Sequence, residues 1–196
     1  MRIIVGITGA SGVILGVNLL KVLSELPDCE THLVVTEGAK RTFEYETDIC
    51  FADIAAMADY VHDSRDLAAP ISSGSFQTDG MIIIPCSMKT LSGIVTGYTD
   101  NLLLRAADVC IKERRRVVLV PRELPLSTIH LKNLAKASRY GCDIVPPMLT
   151  FYNHPHSIQD MINHLVGKIL MLFGIKFREF VPWKGGKENG CNQQEV

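Results

Sequence analysis

The chain has 196 residues, of which 47% are apolar and 21% charged, with a formal net charge of −1. That length suits one domain with a sizeable core, and the charge balance excludes a general attraction to nucleic acid or anionic membranes. No apolar run approaches the roughly 20 residues of a membrane span, and the start, with Arg2 ahead of an apolar run, is unlike a secretory signal.

Ile3, Ile4 and Val5 form a short apolar run that breaks into Gly6, Gly9 and Gly12. Leu15, Leu19, Leu20, Leu23 and Leu26 then recur at three- and four-residue spacing. This predicts a buried strand, a tight glycine turn and a helix, the opening of an open α/β domain. Thr8 and Ser11 add hydroxyls to a turn whose helix N-terminus offers unpaired N–H groups to a phosphate. The plainer alternative is that one of them caps the helix. Glycines at every third position do not make G-x-G-x-x-G, and no Gly-Lys-Ser/Thr follows. The turn therefore suits a mononucleotide or monophosphate better than NAD or ATP.

Pro27-Asp28 turns the chain, and residues 32–35 read as a second strand ending at Thr36 and Glu37. An acidic residue closing that strand is where a dinucleotide enzyme holds a ribose, which keeps an NAD reading open. The acidic cluster Glu44-Tyr45-Glu46-Thr47-Asp48 reads as a solvated loop or a helix start. A short helix and a weak strand at 60–62 follow, then a loop of small residues over 68–75. Residues 81–84 form a buried strand running into Pro85-Cys86-Ser87-Met88-Lys89-Thr90, a second hydroxyl-rich strand-to-helix turn. At one edge of a parallel sheet, two such turns would face a single ligand from both sides.

Residues 101–114 make a strong helix with an apolar stripe at Leu102, Ala106, Val109 and Cys110. Arg105 and Lys112 project from one face with Asp108 between them, the pattern of a surface salt-bridge ladder. Arg114-Arg115-Arg116 reads as solvated charge. The strand at 117–120 ends in Pro121-Arg122-Glu123-Leu124-Pro125, and a charged pair between prolines there suggests a third ligand-facing loop. A helix over 127–140 closes at Gly141, followed by a short strand at 143–145 and an aromatic loop at 146–152. The helix over 157–173 carries Ile158, Met161, Ile162, Leu165, Val166, Ile169 and Leu170 on one side, with Lys168 at its edge. Six cysteines without a C-x-x-C pair point to reduced thiols in the cytoplasm. Six histidines lack metal spacing, since the proline in His154-Pro-His156 prevents a zinc helix. The expected architecture is a single three-layer α/β/α domain over 1–183, on a mostly parallel Rossmann- or flavodoxin-like sheet. A flexible Gly-, Asn- and Gln-rich tail is expected over 184–196.

Taken in order, GITGASG (6–12), ETD (46–48), SGS (73–75), PCSMKT (85–90), the helix from RAAD to KERR, VPRE (120–123) and FY (151–152) resemble the UbiX/Pad flavin prenyltransferases. The resemblance spans roughly residues 2–183. It implies transfer of a dimethylallyl group from dimethylallyl monophosphate to reduced FMN, at N5 and C6 and without a metal. The product, prenylated FMN, serves UbiD-type decarboxylases. Position by position, it implies FMN contacts at Gly9, Ala10, Ser11, Thr36, Ser87, Met88, Lys89, Thr90 and Arg122. Tyr152 and Lys168, with Arg105 and Lys112 nearby, match the prenyl-phosphate positions, while Glu46, Glu123 and Ser11 match the catalytic ones. Lys168 stands where an Arg is usual, keeping the charge but losing the bidentate fork, and Thr36 keeps the hydroxyl of a usual Ser. The resemblance also implies a symmetric homododecamer with sites at subunit contacts. A cysteine-peptide flavoprotein decarboxylase would carry a His after the first turn, and residues 11–20 contain none. A non-catalytic flavin carrier would not need the cationic cluster.

Overall fold

In the computed structural model, which describes residues 1–183 and 185, the apolar runs become strands of one parallel sheet. These are β1 (Arg2–Ile7), β2 (Glu30–Val35), β3 (Tyr60–His62), β4 (Gly80–Cys86), β5 (Arg116–Pro121) and β6 (Cys142–Ile144). The helices are α1 (Val13–Ser24), α2 (Glu37–Glu46), α3 (Phe51–Ala55), α4 (Met88–Thr96), α5 (Leu102–Lys112), α6 (Thr128–Arg139) and α7 (Ile158–Leu172). The expected tail lies, Gly185 apart, outside the described residues. The chain divides into two compact units, Met1–Met148 and Leu149–Val196.

Strand order in the first unit is β3-β2-β1-β4-β5-β6. It reverses between β1 and β4, and in such sheets the crevice beyond the carboxyl ends at the reversal is where ligands bind. The central strands read as unbroken apolar runs because helices cover both faces. On one face Ile4, Met81, Ile83 and Leu119 join Leu91, Leu103, Ala107 and Ala137 from α4, α5 and α6 in a fully buried cluster. The other face receives α1, against β1 and β4, with α2 beside it. β4 runs two residues further than its apolar stretch, through Pro85, because its register with β5 shifts between Ile83 and Cys86. A proline, with no N–H for the ladder, is tolerated at such an irregularity.

Several local expectations change. The acidic cluster at 44–48 is solvated but only in part a loop: Glu44, Tyr45 and Glu46 form the last turn of α2, and Thr47 and Asp48 follow it outside the helix. The arginine run is not simply solvated. Arg115 donates through Nη1 to the Phe76 carbonyl (2.8 Å) and Thr78 Oγ1 (3.2 Å), and through Nη2 to the Gly74 carbonyl (2.5 Å). Arg116 pairs with Asp143 at 3.3 Å across β5 and β6. At the β2–β3 edge His32 is buried, its Nδ1 lying 2.9 Å from His62 Nε2 and its Nε2 2.8 Å from Glu30 Oε1. Arg2 and His32 together hold the Glu30 carboxyl at a pKa of about 2.

In the second unit, Ser157 caps α7: its Oγ accepts from Asp160 N (3.1 Å) while Asp160 Oδ2 accepts from Ser157 N (3.0 Å). The two bonds satisfy two of the helix's orphan donors. Ile158, in the first turn, is exposed, and the buried side starts at Ile162. Among the described residues no helix is long and apolar enough to cross a membrane.

Candidate active site

The glycine turn after β1 and the turn after β4 are one assembly. Buried Thr8 donates its hydroxyl to the Pro85 carbonyl at 2.8 Å and accepts at 2.8 Å from Ser87 N. A second tie runs from Thr8 N to the same carbonyl at 3.3 Å. Thr8 therefore spends its hydroxyl on joining the turns. Neither Thr8 nor Ser11 caps α1, whose N-cap position is Gly12 at φ +97°, a left-handed conformation that favours glycine. The cap comes from elsewhere: Glu46 Oε2, at the end of α2, accepts from Gly12 N at 2.8 Å and Val13 N at 3.3 Å. The helix end expected to cradle a phosphate is thus already occupied by a carboxylate.

The open space lies beside it. A cavity of about 350 Å³ is lined by Gly9, Thr36, Gly38, Ser87, Lys89 and Thr90, at the carboxyl ends of β1, β2 and β4. Two further helices begin there with side-chain caps. Thr36 Oγ1 accepts from Ala39 N (3.2 Å), and Ser87 Oγ accepts from Thr90 N (3.2 Å) while lying 3.0 Å from Thr90 Oγ1. Gly9 is required by close approach, since a Cβ there would lie 2.8 Å from the Gly38 carbonyl carbon. Hydroxyls, backbone N–H groups at two helix starts and the Lys89 ammonium form a donor-rich wall suited to a phosphorylated, hydrogen-bonding ligand. Glu37 also lines the cavity, but as the first residue of α2 and paired with Lys40 at 2.8 Å.

Sequence reasoning missed Ser64, Arg65 and Asn101 on the same wall. Arg65 is braced by Asp63, its Nη2 at 2.9 Å from Oδ2. Asn101 caps α5 by accepting from Leu104 N at 3.0 Å, and the Ser64 carbonyl accepts from Leu102 N at 2.8 Å. The available signal was position alone, because residues 63–66 follow β3 as the other lining loops follow their strands.

Arg122 N donates to the Cys86 carbonyl at 3.2 Å, so the loop after β5 lies against the PCSMKT turn. Arg122 and Glu123 line a second cavity of about 370 Å³, whose other walls, including Leu126, Pro146 and Met148, are mainly apolar. Glu123 accepts from its neighbour Leu124 N at 3.2 Å and forms no ion pair among the described residues. Arg105 and Lys112 line neither cavity. Arg105 donates through Nε to the Ser72 carbonyl (3.1 Å) and through Nη1 to Asp108 (2.9 Å), as the ladder predicts, but Lys112 pairs with Glu113 instead. In the second unit, Tyr152 Oη lies 2.9 Å from Nε2 of His164, a buried residue the sequence did not single out. Lys168 follows one helical turn later and is exposed. Burial, reinforced by the Lys168 charge, lowers the His164 pKa and so favours the neutral ring.

A family model described as Flavoprotein matches residues 1–171. The chain is 60% identical over 189 residues to a probable UbiX-like flavin prenyltransferase of Sedimentibacter hydroxybenzoicus, covering 96% of this chain and 100% of that one. Among solved structures, a dodecameric FMN-dependent UbiX-like decarboxylase from Escherichia coli O157:H7 is similar with a TM-score of 0.93. Identity with it is 56%, over 94% of this chain and all of the other. AnUbiX (PadA1), in complex with FMN and dimethylallyl pyrophosphate, has a TM-score of 0.92 at 50% identity, covering 95% and 98% of the two chains. Fold, identity and matched length agree, and this chain belongs to the UbiX-like flavin prenyltransferases of the flavoprotein family.

Proposed function

We propose that this chain transfers the dimethylallyl group of dimethylallyl monophosphate to reduced FMN, releasing phosphate and forming prenylated FMN. The observation that carries the reading is the donor-rich cavity at the β1–β4 reversal, walled by Gly9, Thr36, Ser87, Lys89 and Thr90. It is supported by membership of the family and by AnUbiX, which binds both FMN and a dimethylallyl donor. When bound and reduced, the flavin supplies the nucleophilic atoms N5 and C6.

The protein's part is to bind, orient and move protons. Gly9, Ala10, Ser11, Thr36 and the Ser87–Thr90 turn hold FMN, and Arg122 adds a charge-assisted bond. Tyr152 and Lys168, with Arg105 and Lys112, bind the prenyl phosphate, because a departing dianion needs cations where its charge grows. Arg105 suits this: Nε and Nη1 are engaged by Ser72 and Asp108, which fixes the plane of the guanidinium. Glu123 takes or relays the proton lost from C6 when that atom regains aromaticity. The bland alternative, that Glu123 neutralises Arg105 or Lys112, is disfavoured because those cations pair with Asp108 and Glu113. Glu46 holds the α1 end, and with it Ser11, in place. Assembly as a homododecamer would bring exposed cations of one copy to a neighbour's site. The product would pass to a UbiD-type decarboxylase in the cytoplasm.

The test is to supply reduced FMN and dimethylallyl monophosphate together and to weigh the flavin by mass spectrometry. A flavin heavier by one dimethylallyl group is expected. Unmodified flavin, from protein that binds FMN, would overturn the reading in favour of a carrier.

A further inference from the structure

His164 has a hydrogen-bonding position that the reaction as proposed leaves unused. It sits in the second turn of α7, 6% exposed, with its Nε2 2.9 Å from Tyr152 Oη. The two rings meet edge-on, their centroids 5.3 Å apart, and Phe180 closes another side at 5.1 Å. The other ring nitrogen, Nδ1, is buried and has no hydrogen-bond partner among the described residues. Tyr152 itself is 43% exposed, with the Trp183 ring edge-on against it at 5.5 Å.

A neutral imidazole carries a single N–H, and its two tautomers are not equivalent in this setting. Hydrogen on Nδ1 would bury a donor with no acceptor, which folded proteins very rarely allow. Hydrogen on Nε2 leaves only an unused lone pair at Nδ1, a milder defect, and makes Nε2–H the donor to Tyr152 Oη. A phenol that accepts a hydrogen bond keeps its own O–H to give away.

We propose that His164 is a positioning residue: as the Nε2–H tautomer it donates to Tyr152 Oη and turns the tyrosine O–H outward to a phosphate oxygen of the prenyl donor. The opposite polarity would spend the only phenolic proton on His164 and present lone pairs to a dianion. His164 thus decides whether Tyr152 attracts or repels the leaving group. The role rests on the prenyl-phosphate function proposed for Tyr152.

Two measurements test it on the full chain. Nitrogen-15 NMR of histidine-labelled, ligand-free protein, with His164→Gln used to assign the signal, should show a protonated Nε2 and a bare Nδ1. The reverse pattern overturns the proposal. In kinetics, His164→Leu should raise KM for dimethylallyl monophosphate on the order of tenfold, the loss of one oriented bond to a charged group, with FMN affinity unmoved. His164→Gln, whose amide nitrogen can donate from the place of Nε2, should recover most of that loss. In a Tyr152→Phe background, His164→Leu should change nothing further, because its only route to the phosphate is gone. An equal loss in that background, or a glutamine variant no better than leucine, means that the histidine merely packs, and the proposal falls. Wild-type protein that makes no prenylated flavin overturns the reaction and the role together, and the tautomer measured by NMR tells that outcome from a wrong hydrogen-bond polarity.

Discussion

Glu46→Ala is the most informative single perturbation, because one oxygen does two separable things. Its Oε2 accepts from Gly12 N and Val13 N, and Gly12 has no side chain with which to cap α1 itself. Removing a cap costs about 0.5–2 kcal/mol, and removing an anion from a helix N-terminus about 0.3–1 kcal/mol. These overlap rather than add, since both act through the same atom, and Glu46 is exposed, so water and salt reduce the electrostatic share. The expected loss is about 1 kcal/mol, or roughly 2–4 °C in Tm for a chain of this size. Glu46→Gln keeps an acceptor oxygen and gives up the charge. It should lose about half as much, and its deficit relative to the parent should shrink in high salt. The assay is urea or thermal unfolding of ligand-free protein at fixed protomer concentration, which removes oligomerisation and FMN as variables. Because Glu46 also matches a catalytic position, lost activity alone would not separate the two roles. An alanine variant as stable as the parent would refute the capping argument.

Arg122→Ala should weaken FMN binding by about 1.5–3 kcal/mol, the range for a bond to a charged group; an unchanged titration would remove Arg122 from the flavin site. Lys168→Ala should abolish prenylation with FMN still bound, and Lys168→Arg should keep or improve it, so full turnover in the alanine variant would return Lys168 to ordinary surface charge. Glu123→Gln should bind FMN normally and lose most of the prenylated product, and product at the parental rate would end its role in proton transfer. For pH, burial and the neighbouring His32 lower the His62 pKa. The unfolded chain, near 6.5, therefore takes up the proton first, and stability falls as pH drops below about 6.5. Glu30 acts in the lower window: its folded value of about 2 adds stability above roughly pH 4.3 that is lost on further acidification. His62→Gln should flatten the urea midpoint between about pH 7 and 5, and a curve parallel to the parent would exclude His62 as the source.

The paired turns were legible in the sequence because their determinants are local. An apolar run, a hydroxyl-bearing turn and then a helical period sit within 14 residues at both 3–15 and 81–94, with glycines in the first turn. That the turns are neighbours was an inference from parallel topology, and the bond from Ser87 N to Thr8 supplies the reason they cannot separate. What stayed hidden depends on residues that meet only after folding. Glu46 reaches a helix end 34 positions earlier, and Arg115 binds carbonyls 39 and 41 positions before it. Neither leaves a periodic trace, and an acidic cluster or an arginine run reads as solvent-facing whenever its partner is out of view. His164 was hidden differently: it falls among apolar residues on the buried side of α7, where a helical pattern counts it as filler.

The Arg115 guanidinium also has a consequence for how this segment can change over evolutionary time. It grips oxygens of Gly74, Phe76 and Thr78, alternate residues in a stretch with no strand partner of its own. Such a grip counts residues. Inserting or deleting one position between 74 and 78 would present the groups of the intervening residues instead, so length should be fixed here even though the segment is a surface connection, where indels are ordinarily tolerated. Exchange to lysine would not preserve the count either, because a single ammonium on a flexible stem cannot span acceptors that a rigid planar fork reaches at once. A Cβ at Gly74 would run into Glu113 and Lys112, and the Phe76 ring packs against His32 and Arg2, so identity is free to vary only at the exposed Ser75 and Gln77 between them. Drift here should therefore alter residue identity at 75 and 77 while leaving spacing untouched.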